Sequence, residues 1–186
     1  MHELFYVLAL AVLIDRTLGE PPDRFHSTVW IGQVIATLQK HLSNSILHGT
    51  FLFLCVTLLS SGAALFLMLL PGGQILAILL GALILKMQFS WKGLSDYALP
   101  VVEALEQDIE KARDVLFYIV GRDTRNLDRE GILSATVESI GEGTNDGITA
   151  PLFYYLLFGS LFGLAAGVSA AVFFRAASTL DSMVGY

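Results

Sequence analysis

An all-α, polytopic integral membrane helical bundle with a cytoplasmic helical insertion is the fold this chain predicts, and three features predict it. Of its 186 residues, 54% are hydrophobic and only 15% charged, with a mean hydropathy of +0.65, a balance typical of membrane chains rather than soluble domains. Uncharged runs long enough to cross a bilayer recur along it. Between them, residues 90–147 are polar and carry apolar groups at helical spacing. With no internal repeat, low-complexity tract or long linker, residues 1–186 form one membrane domain.

The first predicted span, residues 4–18, is the weakest. Leu4 to Ile14 gives eleven apolar residues before Asp15 and Arg16, which fits a tilted short span, an interfacial helix or a helix buried in a bundle. Met1-His2-Glu3 lacks a basic start and no small-residue cleavage site follows, so a signal peptide is not expected. Residues 51–70 are twenty positions without a charge, about 30 Å of helix. Pro71-Gly72-Gly73-Gln74 turns the chain into a span at 75–89, with Lys86, Met87, Gln88 and Phe89 reaching toward the interface. The last span, 150–174, lies within an uncharged stretch punctuated by Gly159, Ser160, Gly163, Gly167 and Ser169. Such small residues suit close helix packing and equally a broken or re-entrant helix. Nine of the eleven Lys and Arg residues fall in segments 15–50 and 90–147 and none in the Pro71 turn, so both polar segments are predicted cytoplasmic.

Within 90–147, Val102, Leu105, Ile109, Ala112, Leu116 and Ile119 recur at three- and four-residue spacing. A helix or helix pair therefore lays one apolar stripe against the membrane domain or a partner. Pro100 fits near a helix start or a kink. Gly121-Arg122-Asp123-Thr124 ends that element, and Asp128 is a candidate N-cap for a helix running to about Ile140, with Gly141 beyond its end.

The chemistry concentrates in Val137-Glu138-Ser139-Ile140-Gly141-Glu142-Gly143-Thr144-Asn145-Asp146-Gly147. Glu138 and Glu142, four residues apart, project from one side of a helix end, and Asp146 follows on a glycine-loosened loop. Clustered carboxylates raise one another's proton affinity or call for a cation, and hard oxygen ligands suit Mg²⁺. A solvated helix end stopped by its glycines fits the same spacing. No P-loop, dinucleotide fingerprint or His-Glu-x-x-His pattern occurs. Cys55, alone and inside a predicted span, offers no disulfide or thiolate site within one chain. The bases lack an aromatic-interleaved patch, so no nucleic acid is expected as a partner. Polar groups gather outside the predicted spans, which disfavours a transport path.

Five ordered motifs carry a family resemblance. Asp15 with Gly19-Glu20-Pro21-Pro22, His26 and Ile31-Gly32 is the first, and Gly121-Arg122-Asp123-Thr124 the second. Val137-Glu138-Ser139 with Glu142 and Asp146-Gly147, Ala150-Pro151-Leu152-Phe153, and Thr179-Leu180-Asp181-Ser182-Met183-Val184-Gly185-Tyr186 complete the set. In this order they closely resemble the adenosylcobinamide-phosphate synthase family of cobalamin biosynthesis (CobD/CbiB). The chain departs from that pattern at Glu20 (typically Asp), Ser27 (Pro), Gly143 (Asn) and Ser178 (Asn). Members of the family continue beyond the Gly-Tyr at which this chain stops, so a fragment or shortened relative is expected.

The resemblance implies an integral enzyme of the prokaryotic cell membrane that joins (R)-1-amino-2-propanol phosphate, or a related amino alcohol, to adenosylcobyric acid with ATP hydrolysis. ATP and Mg²⁺ are the implied co-substrate and cofactor, and the corrinoid is substrate rather than cofactor. Glu138, Glu142 and Asp146 are the implied catalytic acids and metal ligands. Arg122 would clamp a phosphate, with Asp123 fixing it. A turn-stabilising Arg122–Asp123 pair is the alternative. His26, Asp15, Thr124, Thr144, Asp181, Ser182 and Tyr186 are the implied substrate-binding residues. For two of them simpler readings stay open: Asp15 pairing with Arg16 or Arg24, and His26 capping a turn. Trp30, Trp91, Tyr154 and Tyr155 read as interface anchors. The expected partners are the lipid bilayer, the two substrates, and further copies of the chain or a companion polypeptide supplying the remaining carboxyl-terminal region. A non-catalytic membrane subunit or sensor is the rival function.

Overall fold

The structure, a computed structural model, describes residues 2–43, 45–121 and 123–184. Among the described residues there is no strand. The helices are α1 (His2–Leu18), α2 (Ser27–Gln39), α3 (Ile46–Met68), α4 (Gly73–Lys86), α5 (Trp91–Gln107), α6 (Ile109–Val120), α7 (Arg129–Thr144), α8 (Ala150–Phe162) and α9 (Leu164–Val184). A 3₁₀ turn, Asp23–Phe25, precedes α2, and a π-helical turn, Asn145–Thr149, joins α7 to α8. Ile46–Met68, Gly73–Gln107 and Leu164–Val184 are long and apolar enough to cross a membrane. The second of these stretches runs through both α4 and α5.

Three cores organise the helices. In the first, Leu4, Val7 and Ala11 of α1 meet Ala82 and Leu85 of α4, Tyr155 of α8 and Val168 and Ala171 of α9. The buried positions of α1, Leu4, Val7, Ala11 and Asp15, recur at three- and four-residue spacing. The helix therefore lies against the bundle along one stripe. In the second, Ile31 and Ile35 of α2 pack with Leu52 and Val56 of α3 and Ala176 and Leu180 of α9. The third belongs to the insertion: Val101, Ala104 and Leu105 of α5 close on Ala112 and Leu116 of α6 and on Ile132 and Ala135 of α7.

Local chemistry sets the boundaries. Asp108 Oδ1 accepts the Glu110 amide at 3.0 Å and Asp128 Oδ1 the Gly131 amide at 2.8 Å, starting α6 and α7. Gly121, at φ 62°, closes α6 in the left-handed conformation. The apolar stripe is thus shared by two helices broken at Asp108, and it packs on α7 instead of the membrane bundle. Val102 stays outside that core, with Val101 inside in its place. Pro100 lies inside α5.

Two expected boundaries move. α7 runs past Ile140 to Thr144 and enters the π turn and α8 without a loop. The glycines there do not stop the helix: a Cβ on Gly143 would come within 2.8 Å of Leu94 Cδ1, so that glycine permits close approach of α5. The expected span 150–174 is broken at Gly163, where φ is 94°. Beyond the break α9 doubles back along α8, bringing the Tyr154 and Phe174 rings to 5.3 Å in a stack. At 13 residues, α8 is about 20 Å long and too short to cross the hydrocarbon core.

Tyr155, read from sequence as an interface anchor, is instead fully buried, with its hydroxyl donating to the Leu4 carbonyl at 2.9 Å. The turn after α4 is likewise internal. Lys86, Gln88 and Phe89 are buried rather than turned to the interface, because Lys86 finds carboxylates inside the protein and has no need to reach water.

The α8–α9 hairpin rests on backbone contact at two glycines: a Cβ on Gly167 would sit 2.5 Å from the Tyr155 carbonyl oxygen and 2.8 Å from Gly159 Cα. Gly167→Ala is therefore expected to destabilise the protein by about 1–3 kcal/mol in denaturation of the micelle-solubilised chain. Gly141→Ala, at an exposed helical site with open space around it, is expected to raise stability by roughly 0.5–1 kcal/mol.

Candidate functional site

Two groups of polar residues stand out among the described residues. The first is a buried junction of α1, α4, α5 and the α1–α2 loop. Asp15, with no exposed surface, ends the inner stripe of α1. Its Oδ1 lies 3.0 Å from Lys86 Nζ at the end of α4, close in charge but without hydrogen-bond alignment. Its Oδ2 accepts the Lys92 amide in the first turn of α5 at 3.1 Å. Lys86 also donates to Glu20 at 3.1 Å, and Glu20 meets His26 Nε2 at 2.9 Å. His26 in turn caps α2, its Nδ1 accepting the Thr28 amide at 3.3 Å. On the far side, the Ser90 amide donates to the Gly147 carbonyl at 3.0 Å. Arg175 of α9 donates through Nε to the Gln88 carbonyl at 3.0 Å and interacts electrostatically with Asp146 and Glu20.

The second place is a cavity of about 630 Å³ between α6 and α7, lined by Ile119, Val120, Gly121, Ala135, Glu138, Ser139 and Glu142. The left-handed cap at Gly121 turns the chain away at its rim, and the four-residue spacing puts both glutamates on the wall that α7 presents. The α6–α7 connection that frames it is tied down from both sides. Arg113 Nε donates to the Leu127 carbonyl at 2.8 Å, and Thr124, buried, donates its hydroxyl to the Arg113 carbonyl at 2.8 Å.

The expected site residues therefore divide. Glu138 and Glu142 share the cavity wall. Asp146 lies one turn further, in the π turn, where it accepts from Asn145 Nδ2 at 2.8 Å and interacts electrostatically with Arg175. Among the described residues no three carboxylate, imidazole or thiol groups converge as a metal site, so the three acids do not form one ligand set. Two carboxylates on one wall still fit Mg²⁺, which ordinarily takes one or two protein carboxylates and completes its shell with phosphate oxygens and water.

Asp123 pairs with Arg125 in two bonds of 3.0 and 2.8 Å. Arg122 and Tyr186 lie outside the described residues. Thr124 serves the turn, being buried against Arg113 rather than open to a ligand. Thr144 lines a groove between α5 and α7 instead of the glutamate cavity. Asp181 and Ser182 are exposed near the end of α9, with the Ser182 hydroxyl donating to the Ser178 carbonyl at 3.0 Å. Asp15 and His26 are brought together through Glu20 and Lys86, and neither Arg16 nor Arg24 is the partner of Asp15. Lys86 and Arg175 are the site residues that sequence reasoning missed. The readable signal for Lys86 was an acid at the end of one apolar run and a base at the end of another.

Burial alone would push the Glu20 carboxyl up, but hydrogen bonds from His26, Ser90 and Lys86 outweigh it and hold the group at about 2, against an ordinary 4.5. At the surface, the Arg125 side chain and amide hold Asp123 at about 2. A lowered carboxyl adds stability above its unfolded value and loses it as pH falls. The stability difference between wild type and Glu20→Gln is thus expected to be full above pH 4.5 and to close as the pH approaches 2, read by denaturation across that window. For the buried pair, Lys86→Met alone should cost about 3–5 kcal/mol by stranding Asp15. Asp15→Asn combined with Lys86→Met should recover much of that loss in the same assay.

Comparison with known proteins gives this arrangement a family. Residues 8–186 match the CobD/Cbib protein family. The probable cobalamin biosynthesis protein CobD of Methanothermobacter thermautotrophicus is 37% identical over 181 residues, covering 97% of this chain and 57% of the relative. The cobalamin biosynthesis protein CobD of Pelobacter propionicus is 39% identical over 188 residues, 97% of this chain and 55% of the relative. That of Dehalococcoides mccartyi is 34% identical over 192 residues, 99% and 60%. The chain thus spans between 55% and 60% of the length of these relatives. No solved structure matches it. With the family matched over nearly its whole length, and with relatives more than 30% identical across it, the chain belongs to the CobD/Cbib protein family.

Proposed function

We propose that this chain works in cobalamin biosynthesis as the membrane-embedded part of an amide-forming synthase. The amine of (R)-1-amino-2-propanol phosphate, or of a related amino alcohol, would be joined to a propionate of adenosylcobyric acid with ATP hydrolysis. The product is adenosylcobinamide phosphate. The observation that carries this reading is the cavity with Glu138 and Glu142 on one wall, in a chain whose relatives bear the name cobalamin biosynthesis protein.

The chemistry sets what the site must do. An amine does not displace hydroxide from a carboxylate at neutral pH, so the propionate is first phosphorylated by ATP, releasing ADP. The amine then attacks the acyl phosphate and phosphate leaves. Such steps depend on positioning and on offsetting negative charge. Mg²⁺, when bound, supplies that offset on the phosphate oxygens. Glu138 and Glu142 are the residues that would hold it. Asp146 orients the incoming amine from the π turn, and Arg122 clamps a phosphate. The junction of Asp15, Glu20, His26 and Lys86 keeps the insertion seated on the bundle, so that these groups meet substrates arriving at the cytoplasmic face.

The test is formation of adenosylcobinamide phosphate from adenosylcobyric acid, aminopropanol phosphate, ATP and Mg²⁺ by the 186-residue chain in lipid nanodiscs. Product is expected from the wild-type chain, and Glu142→Gln is expected to lower turnover by roughly 100-fold or more, the scale of losing one group that stabilises developing charge. Undiminished synthesis by that variant would remove Glu142 from the reaction. A folded sample that binds adenosylcobyric acid without turnover would assign catalysis to the part of the longer relatives that this chain does not span.

A further inference from the structure

The outer face of the insertion is apolar and uncovered. α5, α6 and α7 complete their own core, yet Leu99, Val102, Leu133 and Val137 remain 57%, 42%, 40% and 68% exposed. On α7, Leu133, Val137, Ile140 and Thr144 recur at three- and four-residue spacing and form one row. On α5, Trp91, Leu94, Ala98 and Val102 do the same. Trp91, Leu94 and Ala98 of one row and Ile140 and Thr144 of the other, with Leu99, line a groove of about 480 Å³ whose lining contains no charged side chain among the described residues. Leu94, in that lining, lies close against Gly143 of α7.

The position of the groove says what fills it. One end is Trp91, the first residue of α5, within the apolar stretch Gly73–Gln107 that is long and hydrophobic enough to enter a bilayer. Ile148, in the π turn leading into α8, lines the same end. The lining of Trp91, Leu94, Ala98 and Leu99 facing Ile140 and Ile148 suits a hydrocarbon chain. At that mouth the exposed Arg16 guanidinium stacks over the Trp91 ring at 4.7 Å, which sets a cation where a lipid head group would lie. We infer that the α5–α7 groove takes an acyl chain of an anionic bilayer phospholipid, with its head group at Arg16. A patch of this size and composition on a soluble surface would otherwise stay exposed to water. The inference stands independently of the proposed reaction.

The test uses bromine on lipid chains as a short-range quencher of tryptophan. The chain has two tryptophans, so Trp30→Phe with Trp91→Phe gives a silent parent that keeps an aromatic ring under Arg16. Leu99→Trp in this parent puts the probe in the groove, eight residues and about 12 Å along α5 from the mouth. Tyr118→Trp, at a position 86% exposed on α6, serves as the reference. In vesicles of mid-chain brominated phosphatidylglycerol, the Leu99→Trp protein is expected to lose emission relative to unbrominated lipid and to resist aqueous iodide, with the Tyr118→Trp protein showing the reverse. The loss is expected to be smaller in brominated phosphatidylcholine, and Arg16→Gln is expected to abolish that preference. Quenching of the Leu99→Trp protein by iodide alone would overturn the inference, as would protection from both quenchers, which would mean that protein covers the face. Equal quenching by the two lipids before Arg16 is changed would overturn the assignment of an anionic head group.

Discussion

The ion pair between Asp15 and Lys86 is the constraint on which the rest of this structure turns. Asp15 lies in the last turns of α1 and Lys86 at the end of α4, and each would be costly in a low-dielectric interior without the other. Together they fix the ends of α1 and α4 side by side. The second carboxylate oxygen of Asp15 then takes the Lys92 amide, which would otherwise be an orphan donor at the start of α5. One buried carboxylate thus ties together the ends of α1 and α4 and the start of the insertion. Glu20 extends the hold to the loop, and His26 passes it to the first turn of α2.

Glycine supplies the complementary device on the other side of the bundle. At Gly159 and Gly167, α8 and α9 approach to backbone contact, and Gly163 permits the reversal between them. The hairpin returns α9 to the end where α7 meets α8. Arg175 can then anchor on the Gln88 carbonyl within electrostatic reach of Asp146. The insertion is consequently held at both of its ends, by Asp15 at the start of α5 and by the unbroken passage from α7 through the π turn into α8. The cavity with Glu138 and Glu142 sits on a frame that cannot rotate freely against the membrane part.

This arrangement separates functions that lie together in the sequence. Within one short stretch of α7, Glu138 and Glu142 face α6 and the cavity, Leu133, Val137 and Ile140 belong to the outward row, and Ile132 and Ala135 close the core. A helix with three occupied faces has no single amphipathic direction. That is why its chemistry stands out in the sequence only as clustered acids among glycines.

The sequence by itself determined the helical class, the turn at Pro71, the caps at Asp128 and Gly121, and the residue types gathered at the candidate site. Each is a local property of hydropathy, helical spacing or capping chemistry, carried by residues adjacent along the chain. The tertiary structure alone decided that Lys86 is buried against Asp15, that Thr124 serves a turn, that Asp123 holds Arg125, and that Asp146 stands apart from Glu138 and Glu142. It also decided that the glycines after Ile140 admit a neighbouring helix instead of ending their own, while Gly163 breaks a run that length alone would carry across the bilayer. The physical reason is the same in every case. A charge, a hydroxyl or a missing Cβ acquires its meaning from the group placed opposite it, and for Asp15 that group lies 71 residues away along the chain, at Lys86.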